Sequence, residues 1–427
     1  MLRCFAFFPT WLLWAVVPLG AQTSTQPTAG ELNDTLKELK NQFEQMKSDY
    51  EMRIAELERK LIQFSASESS APSSSAPQDA TLTGGERTLQ ALNPEISVTG
   101  DATARFSDNS GSPGFNRLNF DGFELAIQHP LDSFSQARFS LIREEEEGHA
   151  EFDIEEGYIS WESLPGNLGL KVGRFHTNFG KLNLFHKHAL PWADRDLPTL
   201  TLFGEEGLRG NGISLTWLPP KLPIGHSNEV SFEVINNSTD LAFSGKGFGD
   251  PIYVGRLQSH YDHTENAYFE WGLSGATSHW DLDEQNRSTV WGLDFSYRWE
   301  PLQPARYRSL ELASELFYNA RERWPGGNVL KMYAYGEYQF ARRWSAGLRY
   351  QFGEDIDNNA DHQWTLTPYA TFWQSERVRL RAQYDFLNKH LDNNENRFLL
   401  QFTWTLGPHK HDDKVPPPSG TEGIVSK

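Results

Sequence analysis

From about Ile96 to Leu406, apolar and polar residues alternate in short runs separated by polar turns. In Arg397 to Leu406, the residues Phe398, Leu400, Phe402, Trp404 and Leu406 share one face, while Arg397, Gln401, Thr403 and Thr405 share the other. In Val378 to Phe386, Val378, Leu380, Ala382, Tyr384 and Phe386 oppose Arg379, Arg381, Gln383 and Asp385. Period two with one apolar and one charged face predicts strands that meet lipid outside and water inside. A soluble sandwich also alternates, but turns its apolar face inward and uses shorter strands.

Sixteen such segments begin near residues 96, 120, 135, 151, 169, 211, 227, 252, 267, 287, 308, 328, 344, 362, 378 and 396. An even count returns the chain to its starting side, as a single-chain bacterial barrel requires. The predicted fold class is all-β: a 16-stranded antiparallel transmembrane β-barrel over residues 93–407, closed so that no strand edge is left unpaired in lipid. Connections on the periplasmic side are mostly tight, as at His129–Phe134 and Ala341–Arg343; those on the outer side are longer, as at Glu354–Asp361 and Asn388–Asn396. The run Glu144–Glu147 reads as a solvated outer loop. Parity slips near Glu155–Glu156 and at Gly173, which predicts β-bulges there. Trp161, Trp217, Trp280, Trp299, Trp324, Trp344 and Trp404 recur near segment ends, where a membrane barrel carries its aromatic girdles.

A different period precedes the barrel. Leu32, Leu36, Leu39, Phe43, Met46, Tyr50, Ile54, Leu57, Leu61 and Phe64 follow spacings of three and four, the seam of an N-terminal α-helical coiled coil over residues 31–64. Two fours in a row after Met46 form a stutter, which unwinds the supercoil locally. Residues 65–92 open with Ser, Ala and Pro and predict a flexible linker, and 408–427 a disordered tail. Residues 1–21, with Arg3, an apolar stretch and Leu19-Gly20-Ala21, read as a secretory signal peptide.

Composition narrows the function. The chain of 427 residues carries 39 basic against 57 acidic residues, a formal net charge of −18. That argues against nucleic acid as a partner, since no basic excess is available for phosphates. A mean hydropathy of −0.58 excludes a polytopic helical membrane protein. The single Cys4 falls in the leader, so a disulfide or a cysteine-based metal site is excluded from the mature chain. Aromatics make up 13%. Acidic, aromatic-rich, secreted and cysteine-free together indicate the outer membrane of a Gram-negative bacterium, with its lipid as one partner. No nucleophile–base constellation or phosphate-cradling loop occurs, so no enzyme activity is expected.

The third outer connection stands apart. About thirty residues separate two strands there, and they include Leu184, Phe185, Leu190, Trp192 and Phe203, which a surface loop does not need. The expectation is a loop folded into the barrel, pinned by these residues, with His186, His188, Asp194, Arg195, Glu205 and Glu206 facing the water path as a pore constriction. His186 and His188, with the nearby acids, also have ligand chemistry for a zinc-like metal.

Asn93-Pro-Glu-Ile-Ser-Val, Gly173-Arg-Phe with Phe179-Gly180, His186-x-His188-Ala-Leu-Pro-Trp192-x-Asp194-Arg195, Leu202-Phe-Gly-Glu-Glu-Gly-Leu208 and Leu406-Gly-Pro-His409 carry a resemblance. Over about residues 91–409 the chain resembles bacterial outer-membrane proteins often labelled zinc-regulated TonB-dependent outer membrane receptors, and its barrel resembles the phosphate-selective porins O and P. A TonB-dependent receptor has a plug ahead of about 22 strands, and the chain lacks both, so the porin-like side of the resemblance is the one taken. It implies homotrimers with a basic pore lining, for which Arg349, Arg379, Arg381 and Arg397 have the required inward parity. Glu337 and Asp385 share that lumen, so phosphate selectivity is not carried over. The expected function is a porin-like channel for passive diffusion of small polar solutes or ions. The alternatives are zinc-linked uptake, and an envelope tether whose coil contacts the periplasm or peptidoglycan.

Overall fold

The computed structural model describes residues 93–407 apart from 113–114, 147–148, 221, 223, 237–241, 245–248, 282–284 and 302–306. The expected leader, coiled coil, linker and tail lie outside the described residues.

The strands are β1 (Glu95–Ser107), β2 (Arg117–Pro130), β3 (Ser135–Glu146), β4 (His149–Leu164) and β5 (Leu168–His176). After a long connection come β6 (Arg209–Trp217), β7 (Ser227–Asn236), β8 (Ile252–Thr264), β9 (Ala267–His279), β10 (Arg287–Trp299) and β11 (Ser309–Arg321). The wall is completed by β12 (Val329–Ala341), β13 (Trp344–Glu354), β14 (His362–Ser375), β15 (Val378–Lys389) and β16 (Glu395–Leu406). Each strand pairs with its chain neighbour, and β1 pairs with β16 from Val98 opposite Leu406 to Ser107 opposite Arg397, closing the barrel. The sixteen starts read from the pattern fall within three residues of the observed ones. The acidic run differs: Glu144, Glu145 and Glu146 belong to β3, because pairing with His149–Glu151 carries the hairpin past them.

The alternation appears plainly on β10. Trp291, Leu293 and Phe295 are exposed on the outer face, while Val290, Asp294, Ser296 and Arg298 are buried on the inner one. A sheet closed in this way satisfies its backbone groups within the ladder, which lets an apolar exterior sit in lipid.

The two parity slips have different causes. Ser140 pairs with Glu156 and Leu141 with Ile154, so Glu155 is an extra residue in β4. This bulge turns both Glu155 and Glu156 into the interior, where an unbroken strand would send one of them out. At Gly173 the register with β4 runs without a shift, contrary to the expected bulge. Its φ is +140°, and a Cβ there would lie 2.2 Å from the Gly157 carbonyl oxygen, so glycine is required for a close strand approach.

At the end of the barrel that carries the longer connections, the inner wall is apolar over part of its circumference. Ile235, Ile252, Val254, Ala276 and Val290 are buried there, and Phe317 and Ala313 extend the patch toward mid-barrel and beyond. They pack with loop residues into a hydrophobic core inside the barrel. Lumen faces of strands are commonly polar in membrane barrels, so an apolar inner wall needs a cover.

Candidate functional site

The cover is the connection 177–208 between β5 and β6, the third at its end of the barrel. Its base is closed by Asn183, whose Nδ2 donates to the carbonyls of Thr177 and Leu208 (2.8 Å each) and whose Oδ1 accepts from the Leu208 amide at 2.7 Å. Gly180 has a φ of +63°, and a Cβ there would collide with the Glu315 carboxylate, so the first turn must be glycine. A short helix, α1 (Leu197–Phe203), begins at Asp196, whose carboxylate caps the Thr199 amide at 2.9 Å.

The apolar side of the loop meets the apolar wall. Phe179 lies edge-on to Phe203 at 5.3 Å and stacks with Phe317 at 6.1 Å, and Phe203 stacks with Phe243 at 6.3 Å. Trp192 is fully buried, edge-on to Tyr333, Tyr335 and Tyr369 at ring distances of 6.0, 5.0 and 6.5 Å. The Arg349 guanidinium lies 4.6 Å from its ring centre. Leu190 and Phe203 are buried as well, whereas Leu184 and Phe185 are only half-buried.

The opposite wall is basic and grips the loop backbone. Arg381 donates to the Leu190 carbonyl at 2.9 Å, Arg379 to the His188 carbonyl, and Gln383 Oε1 accepts the Ala193 amide at 2.9 Å. Arg349 pairs with Asp194 at 2.9 Å. Burial opposes the charge on Asp194, but Arg349 and Arg397 outweigh it and hold this loop carboxyl below the usual carboxylate range.

These contacts relocate several expected site residues. Arg349, Arg379 and Arg381 do face inward but are buried beneath the loop, so they bind the loop rather than border open water. Arg397 keeps 23% of its side chain exposed and pairs with Asp385 at 3.2 Å. Arg195, expected on the water path, is buried and donates to the carbonyls of Glu205 (2.9 Å) and Phe185 (3.1 Å), tying the loop to itself. Glu205 is exposed beside Lys187 at 3.8 Å, and Glu206 lies 3.9 Å from Arg209.

His186 is also buried rather than on the water path, and it sits among carboxylates that the sequence pattern did not associate with it. Its Nδ1 lies 3.0 Å from Glu155 and 3.2 Å from Glu124, and its Nε2 lies 3.3 Å from Glu156. His188 Nδ1 approaches Glu124 at 3.3 Å, His176 Nε2 approaches Glu155 at 3.8 Å, and Arg138 pairs with Glu156 at 3.2 Å. Burial works against charging the loop-borne His186, yet Glu155 and Glu124 outweigh it and hold the imidazole well above its ordinary range. Two triads have donor atoms close enough to hold a metal: Glu124, His186 and His188, and Glu155, His176 and His186. A cavity between loop and wall reaches this cluster. Five acids line it (Asp101, Asp121, Glu124, Glu155 and Glu206), against the two bases Arg143 and Lys187.

No family model matches the chain. An uncharacterised protein of Aquifex aeolicus (strain VF5) is 25% identical over 343 residues, 69% of each chain. Among solved structures, OprB of Pseudomonas putida superposes with a TM-score of 0.53 at 10% identity, covering 76% of this chain and 97% of that one. OmpT of Vibrio cholerae in its trimer form gives a TM-score of 0.50 at 8% identity, covering 74% and 100%. The fold is porin-like. Closed barrels of this kind with an apolar outer face belong to outer-membrane proteins, which supports that location for this chain.

Proposed function

We propose that the chain is an outer-membrane channel through which small polar solutes or ions diffuse passively, with loop 177–208 narrowing the water path. The observation that carries this reading is the attachment of the loop inside a closed barrel, to an apolar wall on one side and to Arg349, Arg379 and Arg381 on the other. A loop so anchored reduces the bore without plugging it by a separate domain. Because those arginines are covered and the cavity beside the loop is lined mainly by acids, the channel prefers cations. Purified protein in planar bilayers should give discrete conductance steps, with a reversal potential of cation-selective sign in a salt gradient. Bilayers that stay as silent as protein-free controls, with the barrel folded, would overturn the reading.

The coiled-coil pattern over residues 31–64 supports a homotrimer, the assembly named for Vibrio cholerae OmpT. Removing residues 22–90 should release single barrels that still show heat-modifiable gel migration. An undiminished oligomer would contradict that assignment.

A further inference from the structure

We propose that the wall and the loop together bind one divalent transition-metal ion of the zinc class, held by His176, His186 and Glu155, with Glu124 beside His186 as a neighbouring carboxylate. The proposal does not depend on the channel reading.

The donor atoms are spaced for such an ion. Metal–nitrogen and metal–oxygen bonds of about 2.0–2.2 Å in a tetrahedron place neighbouring donor atoms about 3.3 Å apart. His186 Nδ1 stands 3.0 Å from Glu155 Oε2 and 3.2 Å from Glu124 Oε2. One donor atom each from Glu155, His176 and His186 lies within 4.8 Å of the others. Small side-chain rotations would converge such a set on one ion.

His176 points to the same ion. It is 2% exposed, and among the described residues neither of its ring nitrogens has a hydrogen-bond partner. A buried imidazole with two unsatisfied nitrogens is costly, and coordination through Nε2, the atom turned toward Glu155, would satisfy one of them.

The surrounding shell is built to match. Glu156, itself held by Arg138, faces His186 Nε2 at 3.3 Å. A proton on Nε2 shared with Glu156 leaves the Nδ1 lone pair directed toward Glu155 and Glu124, the carboxylate–histidine–metal arrangement that fixes the tautomer of a ligand. Charge agrees with this. Glu124, Glu155 and Glu156 are all buried, with Arg138 as the buried guanidinium among them, so with the histidines neutral, as metal ligation requires, the cluster carries a formal −2 that one dication cancels. The acid-lined cavity that touches Glu124, Glu155 and His188 supplies a way in for a cation.

The test uses the full-length protein in detergent, stripped with chelator, reloaded with Zn²⁺ or Co²⁺ and desalted. Elemental analysis should find one ion per chain, and cobalt should give the visible absorption of a low-symmetry nitrogen–oxygen site. X-ray absorption at the zinc edge should show two imidazoles. H176Q and H186Q should lose the ion while keeping heat-modifiable migration, E156Q should weaken affinity about ten- to a hundredfold, and H188Q should retain the ion. Folded wild-type protein without stoichiometric metal would overturn the proposal. Retention of the ion by H176Q, or its loss in H188Q alone, would do the same. If H176Q or H186Q fails to fold, the wild-type absorption spectrum decides: two imidazoles sustain the site, and fewer overturn it.

Discussion

Trp192 gives the most direct test of how the loop is held. Its indole is fully buried, edge-on to three tyrosines of β12 and β14 and covered by the Arg349 guanidinium. Replacement by Ala removes the largest side chain in that contact. Buried Trp→Ala substitutions cost about 3–5 kcal/mol, since transfer and cavity contributions add. Edge-on aromatic pairs account for roughly 0.5–1.5 kcal/mol each beyond area. None of the strand ladder is touched, so almost all of the loss falls on the equilibrium between a docked and a detached loop. At about 1.4 kcal/mol per factor of ten, a loss of about 4 kcal/mol shifts that equilibrium roughly a thousandfold toward detachment. The polar grips of Arg379, Arg381 and Gln383 remain, so the loop should fluctuate rather than leave the lumen. Single-channel recordings of W192A should therefore show raised open-channel noise and brief conductance excursions. The temperature of its gel-mobility shift should stay near that of the wild type. W344A, which alters an exposed ring on the outer face, serves as the control. Noise and conductance identical to wild type in folded W192A would refute the idea that this contact seats the loop.

R349M removes a fully buried guanidinium and leaves Asp194 and Asp385 less compensated. Breaking such a pair costs roughly 3–5 kcal/mol, and limited proteolysis within loop 177–208 of the folded barrel should accelerate accordingly. Replacing Glu205 and Glu206 together by Gln strips partners from Lys187 and Arg209 and should move the reversal potential toward anions; an unmoved potential would reduce both acids to scaffold. G173A should fold poorly, because its Cβ would enter the Gly157 backbone and its φ is strained for alanine, whereas G169A, with nearest atoms at 3.7 Å, should refold with wild-type yield.

The strands were legible because each carries its own evidence: a period-two apolar face bounded by polar turns needs no knowledge of any other strand. The bulge at Glu155 was legible for the same reason, as a break in parity. Gly173 broke parity too, but a positive φ and a close strand approach produce the same signature as an extra residue, and only the register separates them. The loop was recognisable by apolar residues out of place on a surface, and what it packs against was not. Ile235, Val254 and Phe317 come from three different strands, and nothing local shows that their inward positions line one patch. The histidine cluster is the extreme case. Glu124, Glu155, Glu156, His176 and His186 come from β2, β4, the end of β5 and the loop, so no spacing in the chain announces them.

The order of residues along the loop matches three wall chemistries met in turn. Phe179 and Leu182 leave β5 toward the apolar patch, His186 reaches the carboxylates of β2 and β4, Leu190 to Asp194 meet the arginines of β13 and β15, and Leu202 with Phe203 return to the apolar core. Such a path can be satisfied in one seating only, because a shift by a few residues would set His186 against guanidinium groups or Trp192 against buried acids, either at the cost of uncompensated buried charge. It also covers arginines of the inner wall. A basic lining, as the likeness to phosphate-selective porins implies, would need arginines open to water. Here Arg349, Arg379 and Arg381 are covered by the loop they anchor, while Asp101, Asp121 and Glu206 border the cavity beside it. Three of the arginines that the resemblance implied as a basic pore lining thus serve as loop anchors, and the cavity beside the loop is lined mainly by acids, which is what the proposed cation preference rests on.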